Sequence, residues 1–221
     1  MEKTKKNDFV EITYTGYANN QIFDSNIEED FKILDPKEKP KKIIVCIGQG
    51  MLLEGLDNAL ENKELNKEYE ISIPSEDAFG KRKRELIRTI PLAAFKDQKV
   101  NPQPGMLLAL DHHVVKIIAV SGARITADFN NPLAGKDIRY KFTITRKVTD
   151  AKEKTESFFE FFLRYIPKFE INSSKVVVRG PELLDAYITA QKQKFKELIG
   201  LELDFKPEEK EKKESPVRAQ K

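Results

Sequence analysis

The sequence predicts an α+β fold, on three observations. Stretches in which apolar and polar residues alternate recur along the chain, beginning at Phe9–Tyr17. Helical spacing of apolar residues is confined to separate segments, the first at 52–60 and two more beyond residue 156. Between residues 86 and 129 four short apolar runs follow one another, divided by Pro91, the Asn101–Gly105 segment and Ser121-Gly122, as in an all-β module. The length of 221 residues allows one large domain or two small ones. Charge is nearly balanced, 39 Lys+Arg against 36 Asp+Glu, which argues against a dedicated nucleic-acid binder. One Cys excludes an intramolecular disulfide framework and a multi-Cys zinc site, and two adjacent His leave little imidazole chemistry. No apolar run nears the roughly 20 residues of a membrane span. The N-terminal lysines precede no apolar stretch, unlike a secretory signal. With the lone thiol, this points to a reducing, cytoplasmic setting.

The elements follow in order. In Phe9–Tyr17, Val10, Ile12 and Tyr14 alternate with Glu11, Thr13 and Thr15, a half-buried strand in which Gly16 marks a bend. A turn at 18–20 leads to Ile22-Phe23-Asp24-Ser25. Residues 26–42, with two prolines and mixed charge, read as a long loop or bulge. Ile43–Ile47 reads as a central strand closed by Gly48-Gln49-Gly50. Leu52, Leu53, Leu56 and Leu60 give a short amphipathic helix, and Tyr69, Ile71 and Ile73 another strand. After the basic run Lys81–Arg84 come strands at 86–90, 106–110, 114–120 and 123–129, and then Ile138–Ile144. Residues 149–157 read as a polar linker. Ser157 and Glu160 fit a capping box for a helix that stops at Pro167. A hairpin at 169–178 follows. A second helix opens at Gly180-Pro181-Glu182, carries Leu184, Ile188, Phe195 and Leu198, and ends at Gly200. Leu201, Leu203 and Phe205 form a last strand, and the charged residues 207–221 read as disordered.

Four fragments in order carry a resemblance: VEITYTGYANNQIFDS, IIVCIGQGMLLEGLDNAL, YEISIPSEDAFG and ADFNNPLAGKDIRYKFTI. Together they resemble an FKBP-type peptidyl-prolyl cis–trans isomerase. The insert between SEDAFG and NNPLAGK resembles the SlyD-like branch, in which an insert-in-flap chaperone domain replaces a short flap. The extra C-terminal segment is similar to the long archaeal form. The resemblance implies a twisted antiparallel sheet wrapped on the helix at 52–60, formed by residues 1–84 and 131–150. It also implies a β-rich insert at 85–130, with a C-terminal α+β domain at 151–206.

It further implies prolyl isomerisation coupled to chaperone activity, with no cofactor and no metal. The implied catalytic residues are Tyr14, Asp24 and Tyr140. Phe23, Val45, Leu52, Leu53, Leu56 and Phe79 would line the substrate pocket, closed by Leu133 and Ala134, with the Leu53 N–H as donor to the peptide. The expected partners are unfolded or nascent proline-containing polypeptides, with no membrane and no specific nucleic acid. The alternative is a non-catalytic holdase. The chain departs from the family pattern in three places: Leu56 stands where many members have Trp, Phe79 where Tyr is common, and Asn131 where SlyD-like proteins often have His. Residues 207–221 lack the His and Cys of a nickel-binding tail.

Other features have plainer readings. Cys46 reads as a buried small hydrophobe. His112-His113 read as insert surface, and Lys81–Arg84 as a solvated face without stacking aromatics. Leu86, Ile90, Leu92, Phe95, Met106, Leu107 and Leu108 are many apolar residues for so small an insert, so some are expected to face outward and hold clients. Phe158, Phe159, Phe161, Phe162 and Tyr165 make the first C-terminal helix apolar nearly all round. A homodimer through this domain is the expected consequence, with docking on the isomerase domain as the alternative.

Overall fold

The computed structural model describes residues 2–98, 100–110 and 113–208. Its first sheet is antiparallel and has five strands: β1 (Phe9–Ala18), β2 (Gln21–Ser25), β3 (Ile43–Cys46), β4 (Glu68–Ile73) and β9 (Ile138–Lys147). β9 lies along one edge of β1 and also pairs with β4. The other edge of β1 is shared, with β3 beside Phe9–Ile12 and β2 beside Thr15–Ala18. The segment expected to be a loop at 26–42 contains helix α1 (Glu28–Leu34), with three acidic residues in its first turn.

β3 is not central, since it pairs only with β1. Its unbroken apolar run has another cause, which is that both its faces are covered. Ile43, Val45 and Ile47 pack in one hydrophobic cluster with helix α2 (Glu54–Ala59), while Ile44 and Cys46 pack in a second cluster with the C-terminal segment. A strand buried on two faces loses its polar alternation wherever it sits in the sheet.

The insert is a four-stranded antiparallel sheet in the order β5 (Ile87–Pro91), β8 (Arg124–Asp128), β7 (His113–Ser121), β6 (Leu107–Leu110). A 3-10 turn of helix at Leu92–Gln98, where the sequence signalled no element, brings Phe95 into its core. Two side chains tie the neck of the insert. Asn130 bonds both backbone groups of Lys83 (2.8 and 3.0 Å), and Arg82 pairs with Asp128. Lys81 pairs with Glu76, so half of the basic run is engaged in ion pairs.

The expected linker at 149–157 is instead the first half of helix α3 (Ala151–Leu163). Its N-cap is Asp150, whose carboxylate accepts from the Glu153 N–H at 2.9 Å, so the helix starts seven residues before the expected capping box at Ser157/Glu160. Ser157 lies mid-helix and donates to the Ile44 carbonyl on β3 at 2.7 Å. The helix ends at Leu163, before Pro167, with Arg164 in the left-handed region (φ 63).

β10 (Lys168–Asn172) and β11 (Lys175–Gly180) form the hairpin. After helix α4 (Leu183–Ile199), β12 (Glu202–Pro207) returns parallel to β11. Pro207 therefore belongs to a strand. Most of the expected disordered tail, 209–221, and His112 lie outside the described residues.

The C-terminal segment does not stand apart. Phe9 of β1, Cys46 of β3 and Val148 share one core with Phe158, Phe159, Val176, Ile188 and Phe195. Phe158 and Phe159 are fully buried, and the Phe195 ring lies 5.1 and 6.0 Å from theirs. At these two residues the all-round apolar character of α3 is satisfied within the chain. Glu153 reinforces the docking by taking two hydrogen bonds from Arg146 (2.7 and 2.9 Å) and pairing with Lys42 (3.0 Å), and both cations also pair with Glu11.

Candidate active site

β1, β2 and β9 converge on one group of aromatic side chains. Tyr14 of β1 and Tyr140 of β9 point to the same face because each lies an even step along its strand from the core residues Ile12 and Phe142. Their rings meet edge to face with centroids 5.8 Å apart. Phe23 of β2 meets Tyr140 at 5.8 Å and Phe79 at 5.9 Å, again edge to face. This chain of T-shaped contacts is the arrangement the ring quadrupoles favour.

Gly16 makes this packing possible. A Cβ there would lie 2.7 Å from the Tyr140 ring and 2.9 Å from that of Phe23. The residue marks the irregularity in the β1–β2 register as well as a bend.

Asp24 supplies the charge. The Tyr14 hydroxyl donates to its carboxylate at 3.0 Å. Burial raises the pKa of the Tyr14 phenol well above the ordinary 10, and the negative charge of Asp24 and this hydrogen bond raise it further. Tyr140 is raised by burial and then by the same carboxylate. Both phenols therefore stay protonated at neutral pH and remain donors. Asn26 fixes the backbone on which Tyr14 sits: its Oδ1 accepts from the Tyr14 N–H at 2.7 Å, and its Nδ2 donates to the Ile12 carbonyl at 2.8 Å.

The loop before α2 forms another wall. Asp57, 4% exposed, accepts from the N–H groups of Gly48 and Gly50 at 2.9 and 2.8 Å. This ties the glycine turn to the helix and places Leu52 and Leu53 against the cluster. The Leu53 N–H, at the N-cap of α2, has no acceptor among the described residues. Gly55 lets α2 approach β4, since a Cβ would fall 2.8 Å from Ile73.

Ten of the eleven sequence-expected residues are thus placed together. Tyr14, Val45, Leu56 and Tyr140 are buried in the cluster, and Phe23, Leu52, Leu53, Phe79 and Leu133 pack against it half-buried. Asp24 joins through Tyr14. Leu56, 1% exposed, supports the floor from beneath. Ala134 is the exception: it is not packed in the cluster, and its N–H bonds the Asn131 carbonyl within a turn.

Asn26 and Asp57 were not singled out from sequence, and Gly16 was read only as a bend, not as the space that admits the Tyr140 and Phe23 rings. Their contacts span 7 to 124 residues and leave no periodic signal. A cavity of about 340 Å³ opens against Tyr14, Val45 and Leu52. Cys46 lies behind this face, with its pKa pushed up to about 12 by burial and then by Asp57, so it is unreactive as a thiol. Among the described residues no three His, Cys, Asp or Glu side chains gather where they could hold a metal, and no helix is long and apolar enough to cross a membrane.

Two family models match. The one for FKBP-type peptidyl-prolyl cis-trans isomerase covers residues 1–96, and the one for the FKBP26, IF domain covers residues 88–133. The chain is 37% identical over 151 residues to the short-type peptidyl-prolyl cis-trans isomerase of Methanocaldococcus jannaschii, a match covering 67% of this chain and 94% of that protein. It is 30% identical over 125 residues to the FKBP-type peptidyl-prolyl cis-trans isomerase SlyD of Treponema pallidum, covering 54% and 70%. With SlyD of Escherichia coli (strain K12) the identity is 26% over 132 residues, covering 58% and 65%.

Proposed function

We propose, from the premise that this chain belongs to the FKBP-type peptidyl-prolyl cis-trans isomerase family, that the Tyr14–Asp24–Tyr140 cluster is its isomerase pocket and that its inserted sheet holds unfolded clients beside it. The chain is a peptidyl-prolyl cis–trans isomerase; how it works and what it works on are the proposal. The observation that carries the pocket is the Tyr14–Asp24 hydrogen bond set within a wall of edge-to-face rings.

The chemistry needs no nucleophile. The barrier to rotation about a peptide bond is about 18–20 kcal/mol and comes from amide resonance. Twisting removes the resonance and leaves a less polar carbonyl. A pocket of Tyr14, Phe23, Val45, Phe79 and Tyr140 favours that twisted state over the planar one, which is differential binding of the transition state. The Leu53 N–H anchors a peptide carbonyl at the rim, so that rotation is confined to one bond. Tyr14 keeps the Asp24 carboxylate turned toward the pocket. Phe79 brings a ring without a hydroxyl, so a ligand is held there by shape alone.

The insert supports the second half of the reading. Its core is small, with Phe95, Val115, Ile117, Ile125 and Ala127 buried. Met106, Leu107, Val114, Ile118 and Val120 are exposed by 37 to 56%. A hollow of about 640 Å³ beside Leu86, Ile90, Leu110 and Phe129 adds a concave apolar surface. An unfolded client held there meets the pocket at the high effective concentration of a tethered site. The single unpaired thiol suits the reducing cytoplasm, where we place this activity.

The test is refolding of a protein whose slow step is prolyl isomerisation. The full chain should accelerate it at catalytic concentration, and the chain lacking residues 85–130 should give little help. Equal help from both would remove the insert from the account. Slower refolding without any acceleration by the full chain would favour a holdase.

A further inference from the structure

The cavity that opens on Tyr14, Val45 and Leu52 has its far wall in the C-terminal segment. Glu160, Phe161 and Arg164, all on or just past the last turns of α3, line it. We infer that α3 completes the substrate groove, forming a subsite for the polypeptide segment that flanks the proline, and that this subsite selects an acidic side chain through Arg164 and Lys41.

Three observations carry this. The first is continuity: one hollow of about 340 Å³, within the roughly 300–1,000 Å³ range of ligand sites, is bounded by isomerase-pocket residues on one side and α3 on the other. A chain leaving the pocket toward β3 must enter it. Docking makes this wall firm, because Ser157 bonds the Ile44 carbonyl and Phe158 and Phe159 are fully buried behind it.

The second observation is charge. Lys42, also in the lining, is balanced by Glu11 and Glu153 at 3.1 and 3.0 Å. Lys41 and Arg164 have no ion pair among the described residues, which leaves two cations facing the single carboxylate of Glu160. The Arg164 guanidinium lies 5.4 Å from the centroid of the half-buried Phe161 ring, which gives it a preferred position at the rim.

The third observation is backbone conformation. Arg164 occupies the left-handed region at φ 63, at a helix end where glycine is the easiest residue. A long cationic side chain stands at a position that disfavours it, as happens where a side chain has a task.

The inference rests on the isomerase reading of the Tyr14–Asp24 pocket, so binding and turnover are measured separately. Peptides carrying a single X–Pro bond are made in pairs, with Glu or Lys at each of the three positions on either side of it. Their dissociation constants are read from amide shifts of the full-length protein, including those of Phe161 and Arg164, and their cis–trans exchange from peptide lineshapes. On one side of the proline the Glu peptide should bind about two- to fivefold tighter than its Lys partner, the scale of an exposed ion pair. Arg164→Gly should bring that ratio close to one, with thermal stability equal or raised because the left-handed strain is relieved. Phe161→Ala should weaken both members of the pair. A wild-type ratio near one at every position, or a preference that survives Arg164→Gly, overturns the subsite. If Asp24→Leu leaves turnover intact, the pocket reading fails instead, and the binding ratios still decide the subsite.

Discussion

The first sheet and the inserted sheet use apolar residues in opposite ways. Among the described residues the first sheet buries thirteen of them in one cluster with α2, and its exposed large apolar side chains lie at and beside α1, at Ile27, Ile33 and Leu34. Among its described residues the insert buries five and leaves as many large ones exposed, on β7 and at and just before the start of β6. A packed wall with one charged group suits a reaction governed by shape and exclusion of water. A thin core with uncovered apolar residues suits binding without shape selection. Their separation within one chain teaches that sequence apolarity alone does not tell a packed wall from an open surface; the covering of each face does.

The sharpest way to break the comparison is at Asp24. Asp24→Leu removes the acceptor of the Tyr14 hydroxyl, and a stranded buried donor costs about 1–3 kcal/mol. Peptide isomerisation, followed by exchange spectroscopy, should fall about tenfold to a hundredfold, while unfolded-client binding persists. Gly16→Ala should act on both stability and rate. Its Cβ would meet Tyr140 at 2.7 Å, and overpacking of this kind costs about 1–3 kcal/mol, readable as a lower denaturation midpoint with reduced kcat/KM.

Leu107→Ser combined with Val114→Ser should do the reverse. Both sites are 56% exposed, so folding stability should change by no more than about 0.5 kcal/mol each. Affinity for an unfolded client should drop severalfold.

The smallest effect is at the docked helix. The hydrogen bonds from Arg146 and then Lys42 lower the Glu153 pKa from 4.5 to about 2. A depressed carboxyl pKa stabilises the folded state above the unfolded value, and that contribution disappears as the pH falls from 4.5 toward 2. Amide protection factors in α3, corrected for the intrinsic pH dependence of exchange, should therefore fall across that window, and Glu153→Gln should flatten the response.

Much of the first sheet was legible in the sequence because Val10, Ile12 and Tyr14, and again Ile138, Tyr140, Phe142 and Ile144, keep a strict two-residue period. The insert's strands were legible through their breakers. Ile43–Ile47 misled as to position, because an apolar run records two covered faces and not the place of a strand in a sheet. Residues 149–157 misled because α3 begins with Ala-Lys-Glu-Lys, whose polar face is solvated and paired, so no apolar stripe announces it. The parallel β11–β12 pair left no local trace, since α4 intervenes. At the site, side chains on strands were readable by family pattern. Asn26, Asp57 and the empty space at Gly16 act through the backbone or through absence of volume, and these have no spacing to read.

The division of labour is tested most directly by one measurement: cis–trans exchange of a short X–Pro peptide catalysed by the chain lacking residues 85–130, with circular dichroism verifying that the first sheet is folded. The proposed pocket is built from residues outside the insert, so the truncated chain should match the full chain on this substrate. A folded truncated chain that does not accelerate the exchange would show that the pocket is not self-sufficient and would contradict the account.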